Sequence, residues 1–330
     1  MTPLIGHGWV VDFLRKALGQ GRAHHAYLLT GPAHIGKMAT AQAMARVLLC
    51  ERETGCRECR PCRLADRESH ADLRILRLPA DRKNIPIKDV HEFMDGIALK
   101  PLEGKRSVYI VDQADLLSED GANAFLKTIE EPPTHVTLIL TATDPARLLP
   151  TVVSRCQRIA LRPAGLAAIA EGLIRVHGLD PQEADRIAQA SHGLPGLAML
   201  IAEDPSILDT QAKQVADLAR LLGASRLERL QYADALAERW SGHQEEITST
   251  LEVWIDAWRA LVHAQTHGKP AGPAVQAEAL AAPGAALSAS SAEAGLKTTL
   301  DVLEGLQANA HPRLALETLL LTMPSAESRA

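Results

Sequence analysis

The chain has 330 residues, more than one ordinary domain holds and enough for two or three. With 46% apolar and 23% charged residues it can build real cores, which excludes a wholly disordered or collagen-like polypeptide. A formal net charge of −5 excludes a surface that grips nucleic acid over its whole extent, and 3% aromatic residues leave aliphatic cores and few platforms on which bases can stack.

At the N-terminus, MTPLIGHGWV lacks the basic region followed by an apolar one that marks a secretory signal, and no stretch nears the ~20 apolar residues of a membrane span. A cytoplasmic protein is expected. Residues 7–20 carry apolar side chains at helical spacing and stop at Gly19 and Gly21, and AYLLT at 26–30 reads as a short buried strand. A glycine-bounded loop then leads into an Ala-rich helical run that ends at a cluster of cysteines. RILRL at 74–78 is a candidate second strand and 87–99 an amphipathic helix. The apolar, β-rich runs 106–115 and 135–144 flank a helix at 118–131 whose first-turn acids suit the helix dipole. Strands and helices thus alternate to about residue 160, which predicts a parallel sheet covered by helices on both faces. Beyond it only helices are predicted, at 164–177, 181–191, 195–202, 206–222, 225–240, 244–265 and 292–321. Residues 268–291, rich in Ala, Gly, Pro and Ser, are expected to form a flexible connection.

Four motifs carry chemistry. Gly31 to Lys37 reads G-x-x-x-x-G-K between a strand and a helix, the arrangement in which backbone N–H groups and a helix N-terminus face phosphates while Lys37 reaches the β/γ oxygens. The next residue is Met38, whose thioether is a poor ligand for Mg²⁺ where a hydroxyl is wanted. Four apolar residues, 108–111, then deliver Asp112 to a strand end, where it can face a nucleotide-bound Mg²⁺ or simply cap the following loop. Its neighbour is Gln113, and an amide cannot take a proton from an attacking water as a carboxylate can.

Cys50, Cys56, Cys59 and Cys62 lie within thirteen residues and can close a tetrahedron around Zn²⁺, a structural site with no open position; free thiols are the alternative. Cys156 stands apart, in Ser154-Arg155-Cys156. A lone arginine after a strand is ordinarily a surface charge. Near a subunit boundary, a guanidinium can instead stabilise the charge that develops on a neighbour's γ-phosphate. His24 and His25 read as packing or capping groups, Trp240, Trp254 and Trp258 as core anchors, and the acid pairs at 119–120 and 130–131 as solvated helix ends.

Together, residues 4–32, the cysteine cluster, DQADLLSEDGANAFLKTIEEPP at 112–133, LTATDPARLLPTVVSRC at 140–156 and NAHPRLALETLLL at 309–321 resemble the AAA+ subunits of the bacterial DNA polymerase III clamp loader, delta-prime-type members most of all. The resemblance implies an α/β then all-α chain. A RecA-like AAA+ parallel-sheet domain with a zinc knuckle would span 1–156, a small helical lid 157–205, and a helical collar that assembles with its counterparts in a ring 206–330.

It further implies that Gly31, Gly36 and Lys37 form the Walker A loop, that Asp112 is the Walker B acid, that Thr143 lies near the sensor-1 position, and that Ile5 and Gly6 lie near the adenine pocket. Cys50, Cys56, Cys59 and Cys62 would be zinc ligands, and Arg155 the arginine finger offered to an adjacent motor subunit. The implied partners are delta and tau/gamma subunits and, through them, the sliding clamp and primed DNA. Met38, Gln113 and the lid sequence GLPGLAML at 193–200 depart from the hydroxyl, glutamate and sensor-2 arginine of hydrolysing members. Bound ATP or ADP is therefore compatible with the chain, whereas hydrolysis by it alone is not expected. Two other readings remain: a competent tau/gamma-type ATPase, and a stand-alone zinc-bearing nucleotide-binding adaptor.

Overall fold

The structure is a computed structural model that describes residues 4–79, 82, 84–267, 279–280 and 284–325. The chain divides into two compact units, residues 1–199 and 200–330.

In the first unit, β1 (Ala26–Thr30), β2 (Leu73–Leu76), β3 (Ser107–Val111), β4 (Val136–Ala142) and β5 (Gln157–Ala160) form one sheet of order β2-β3-β4-β1-β5. All its pairings are parallel. The runs AYLLT, SVYIV and VTLILTA are buried along their whole length, as strands covered on both faces must be.

Successive residues point to opposite faces, and each face has its own core. Tyr27, Leu29, Val108 and Ile110 pack with residues of α1 (Gly8–Gly19), α2 (Lys37–Leu49) and α3 (Arg60–Asp66). Ala26, Leu28, Tyr109 and Val111 pack with residues of α4 (Ile87–Met94), α5 (Glu119–Glu130) and α6 (Pro150–Arg155).

Three details depart from the expected elements. The helix foreseen at 87–99 ends at Met94, where Gly96 takes a φ of 79° that breaks helical continuity. The short helices α3 and α6 had no clear periodicity. Strand β5 lies beyond the residues expected to form the sheet; it is four residues long, pairs among the described residues with β1 alone and has alternating exposure, so it lacks the continuous apolar run of its neighbours. The domain boundary expected at 156 falls immediately before it.

The unit continues through α7 (Leu166–His177) and α8 (Pro181–Ala190), and its boundary at 199 falls within α9 (Pro195–Glu203). Gly178, at φ 66°, ends α7 in the left-handed conformation, and the Asp180 carboxylate accepts the Gln182 and Glu183 N–H groups to start α8 with Pro181 in its first turn.

The second unit is helical: α10 (Ser206–Leu222), α11 (Arg226–Arg239), α12 (Gln244–His267), α13 (Ala289–Gln307) and α14 (Pro312–Thr322). Trp254 and Trp258 are fully buried, and the Trp254 indole N–H donates to the Gln214 carbonyl at 2.8 Å. Gly295 lets α13 approach the Trp258 ring so closely that an added Cβ would lie 2.7 Å from it. Arg229, itself buried, donates to the carbonyls of Leu221 (2.9 Å), Leu222 (3.3 Å) and Pro324 (3.1 Å), joining the ends of α10 and α14 and satisfying carbonyls that helix termini leave open.

The single helix expected at 292–321 is two, broken where Asn309 adopts φ 64° and Pro312 opens a new first turn. Of the expected flexible connection, 268–278 and 281–283 lie outside the described residues. Within the described part, Leu280 and Leu287 are buried, and Ser288 caps α13, which begins at Ala289.

Candidate functional site

The loop Gly31–Gly36 leaves the C-terminal end of β1 and starts α2, where doubly wound sheets bind their ligands. A Cβ on Gly31 would meet the Leu161 carbonyl oxygen at 3.0 Å, and Gly36 turns at φ 93° to start the helix, so both glycines are required by the backbone. The His7 Nε2–H donates to the Ile35 carbonyl at 2.8 Å and pins the loop from α1's side; burial holds this imidazole below its ordinary pKa, partly offset by that bond. His34, within the loop, is likewise lowered by burial and by Lys37.

Lys37 is nearly buried, and its ammonium donates to the Gly31 carbonyl (2.8 Å), the Pro32 carbonyl (2.8 Å) and the Thr143 hydroxyl (3.0 Å). Three donors thus meet three acceptors of the same chain, and a phosphate entering here must displace some of them. Burial lowers the Lys37 pKa, opposed by the charges of Asp115 and Asp112. Met38 is partly buried and packs against the core of this sheet face, and its thioether is a poor ligand for Mg²⁺.

Asp112 directly follows β3, and its carboxylate accepts the Thr141 hydroxyl at 2.6 Å; the same Thr141 oxygen accepts the Gln113 N–H at 2.9 Å. Gln113 itself sits at φ 55°. One oxygen of Asp115 accepts the N–H groups of Thr143 (3.0 Å) and Asp144 (2.9 Å), fixing the turn that carries Thr143 to Lys37. The Gly196 N–H donates to the His34 carbonyl at 2.7 Å, and a Cβ there would lie 2.7 Å from that oxygen. The segment 193–200 therefore meets the phosphate loop through bare backbone. Ile5 is buried against Gly172 of α7, and Gly6, at φ 78°, lies against Ala164.

The four clustered cysteines gather at the far end of α2, about 19 Å from Lys37 at 1.5 Å per residue. Their sulfurs all lie within 4.8 Å of one another, with Cys50–Cys56 at 3.7 Å, Cys50–Cys59 at 3.9 Å and Cys56–Cys62 at 4.0 Å. A tetrahedron with metal–sulfur bonds of about 2.3 Å has edges of about 3.8 Å, so the separations fit one metal ion held by four thiolates.

The backbone favours thiolates as well. The Cys59 N–H donates to Cys56 Sγ at 3.4 Å, and burial of Cys50 is outweighed by N–H groups of Cys56, Arg52 and Thr54 that bring it down to about 5. Burial pushes the Cys62 thiol strongly up, which a bound cation would reverse. The cluster can hold a metal ion. Cys156 is separate, its thiol raised to about 11 by burial.

Arg155 lies at the opposite end of the sheet from Lys37. It ends α6, beside His24 and His25, which precede β1, in an open cleft of about 480 Å³ that Glu130, Glu131 and Ser154 also line. The His24 ring accepts the Ala26 N–H, and the His25 Nε2–H donates to the Ile129 carbonyl at 3.2 Å, so both histidines are structural here. Glu130 is the exposed helix end expected from the sequence, and in addition it pairs with Arg155, its Oε1 3.0 Å from Nη2.

Gly31, Gly36, Lys37, Asp112 and Thr143 therefore converge at one end of the sheet, with Ile5 beside α7, whereas the cysteines and Arg155 stand at two other places. Sequence reasoning missed His7, Thr141, Asp115 and Glu130. A buried histidine, a threonine inside an apolar strand and an acid three residues past Asp112 are weak signals alone.

A family model described as "DNA polymerase III, delta subunit" matches residues 6–165. The chain is 34% identical over 227 residues to DNA polymerase III subunit delta′ of Pseudomonas aeruginosa, covering 68% of this chain and 67% of that protein. It is 32% identical over 198 residues to DNA polymerase III subunit tau of Escherichia coli, covering 58% of this chain but only 30% of the relative. A DNA polymerase III gamma subunit-related protein of Thermotoga maritima is 16% identical with a TM-score of 0.39, the alignment spanning 94% of this chain and 97% of the other. By its identity to the delta′ relative over two thirds of both lengths, the chain belongs to the family of bacterial DNA polymerase III delta′ and tau/gamma clamp-loader subunits.

Proposed function

We propose that the protein is a delta′-type ring member of the clamp loader, supporting ATP-driven loading of the sliding clamp onto primed DNA in the cytoplasm. It assembles with delta and tau/gamma subunits and lends Arg155 to a neighbour's nucleotide. In this reading residues 157–205 act as a lid and 206–330 as a collar, and a zinc ion held by Cys50, Cys56, Cys59 and Cys62 braces the knuckle.

One observation carries the trans role. Lys37 and Arg155 stand at opposite ends of the sheet, separated by the five-residue strand β1, about 16 Å at 3.3 Å per residue. A guanidinium there is out of reach of a phosphate on its own loop, and at 40% exposure it is available to another subunit.

The same reading makes the loop of Gly31, Gly36 and Lys37 a phosphate cradle without hydrolysis. Its support is that Met38 is committed to packing, Asp112 to Thr141, and Gln113 supplies no base. Purified alone, the chain is expected to turn over no ATP above background, and Met38→Thr with Gln113→Glu to raise that rate; turnover of the native chain equal to the double variant would overturn the reading in favour of a competent ATPase.

A further inference from the structure

Arg155 is not idle in the isolated chain. Its Nη2 is 3.0 Å from Glu130 Oε1, and its Nη1 donates to the Thr151 carbonyl at 3.1 Å. Both terminal nitrogens, the edge of the fork that grips an anion in bidentate fashion, are thus already engaged within the chain, Nη1 by a hydrogen bond and Nη2 by an ion pair. Glu130 closes α5 and Glu131 follows it, so two carboxylates line the mouth of the cleft through which a phosphate must approach. At 40% and 46% exposure the ion pair is a weak one, which water and a competing anion can replace.

We propose that Glu130 is a positioning residue that holds Arg155 in a self-paired state, and that the guanidinium exchanges this carboxylate for the terminal phosphate of a nucleotide bound by the neighbouring subunit. The proposal rests on the trans role given to Arg155 above. Glu130 makes no bond to substrate. It sets how often Arg155 is free, and its charge opposes the incoming phosphate. The pair is therefore a brake on the neighbour's turnover, released only when phosphate and guanidinium are brought together.

The test is ATP turnover of the complete clamp loader, reconstituted from this chain and its ATP-hydrolysing subunits, with Glu130→Gln, Arg155→Ala and the double variant. With Glu130→Gln, kcat is expected to rise about two- to fivefold at an unchanged KM, the range available from an exposed ion pair. The double variant is expected to match Arg155→Ala alone, because a brake without its guanidinium has nothing to hold. Neutralising a purely structural helix end would lower the unfolding midpoint and leave kcat where it was.

Slow turnover in Arg155→Ala with Glu130→Gln unchanged or slower overturns the brake and leaves the trans arginine standing. A rise in kcat that persists in the double variant overturns it too. Normal turnover in Arg155→Ala removes the trans role and the brake together.

Discussion

The two ends of the sheet treat a buried or surface cation in opposite ways. At the C-terminal end, Lys37 is enclosed and all three of its N–H groups are spent on the chain's own oxygens, with His7, Asp115 and Gly196 bracing the loop around it. At the N-terminal end, Arg155 is half exposed in an open cleft and is held by one surface carboxylate and one carbonyl. A group satisfied internally contributes to stability, and a group left loosely paired is free to act elsewhere. The contrast sets a tightly braced lysine at the glycine loop against a loosely held arginine at the other end, which is what the proposed division between a phosphate cradle and an outward-acting guanidinium requires.

The largest effect is expected where the outward end is cut. Arg155→Ala should slow ATP turnover of the assembled clamp loader by at least about tenfold and up to ~10³, while shifting the unfolding free energy of the isolated chain by less than about 0.5 kcal/mol. Steady-state turnover together with denaturant titration checks both halves, and a destabilised variant would erase the contrast.

Removal of metal comes next. Zinc is expected at one ion per chain by elemental analysis, and Cys62→Ser or a strong chelator should lower the thermal midpoint of the first unit by several degrees, since structural zinc contributes folding energy directly. An unchanged midpoint in metal-free protein would show that the knuckle stands without it.

Lys37→Met is expected to cost about 1 kcal/mol, because the Gly31 and Pro32 carbonyls and the Thr143 hydroxyl lose a shared donor in a partly buried place. Urea denaturation measures it, and a neutral result would mean that the cradle is not built around this ammonium.

The smallest effect concerns pH. Buried His7 has a folded-state pKa below the unfolded 6.5, so between the two values the unfolded chain binds more protons. Stability of the first unit should therefore be complete above about pH 6.5 and fall as pH drops below it. His7→Gln, which keeps an N–H for the Ile35 carbonyl, should flatten part of that slope.

Much of this was legible in the chain itself. The buried runs AYLLT, SVYIV and VTLILTA announce a two-faced parallel sheet, and the spacings of Gly31, Gly36 and Lys37 and of the four clustered cysteines are local chemistry that the backbone must bring together. Other features were not. Strand β5 is too short and too exposed at its edge to carry a pattern, and the break before Pro312 was hidden inside a continuous apolar periodicity.

By itself the sequence determined most of the buried strands and longer helices, and it singled out the glycine loop, the cysteine cluster and Arg155 as candidates, since hydrophobic period, glycine placement and short ligand spacing act over a few residues. Only the tertiary structure decided that Lys37 closes on Thr143, that Thr141 joins Asp112 to Gln113, and that Arg155 faces away from its own loop beside Glu130. Those pairings link residues 25 to more than 100 positions apart, and which of many possible partners they find is set by strand order and register, which no local pattern contains.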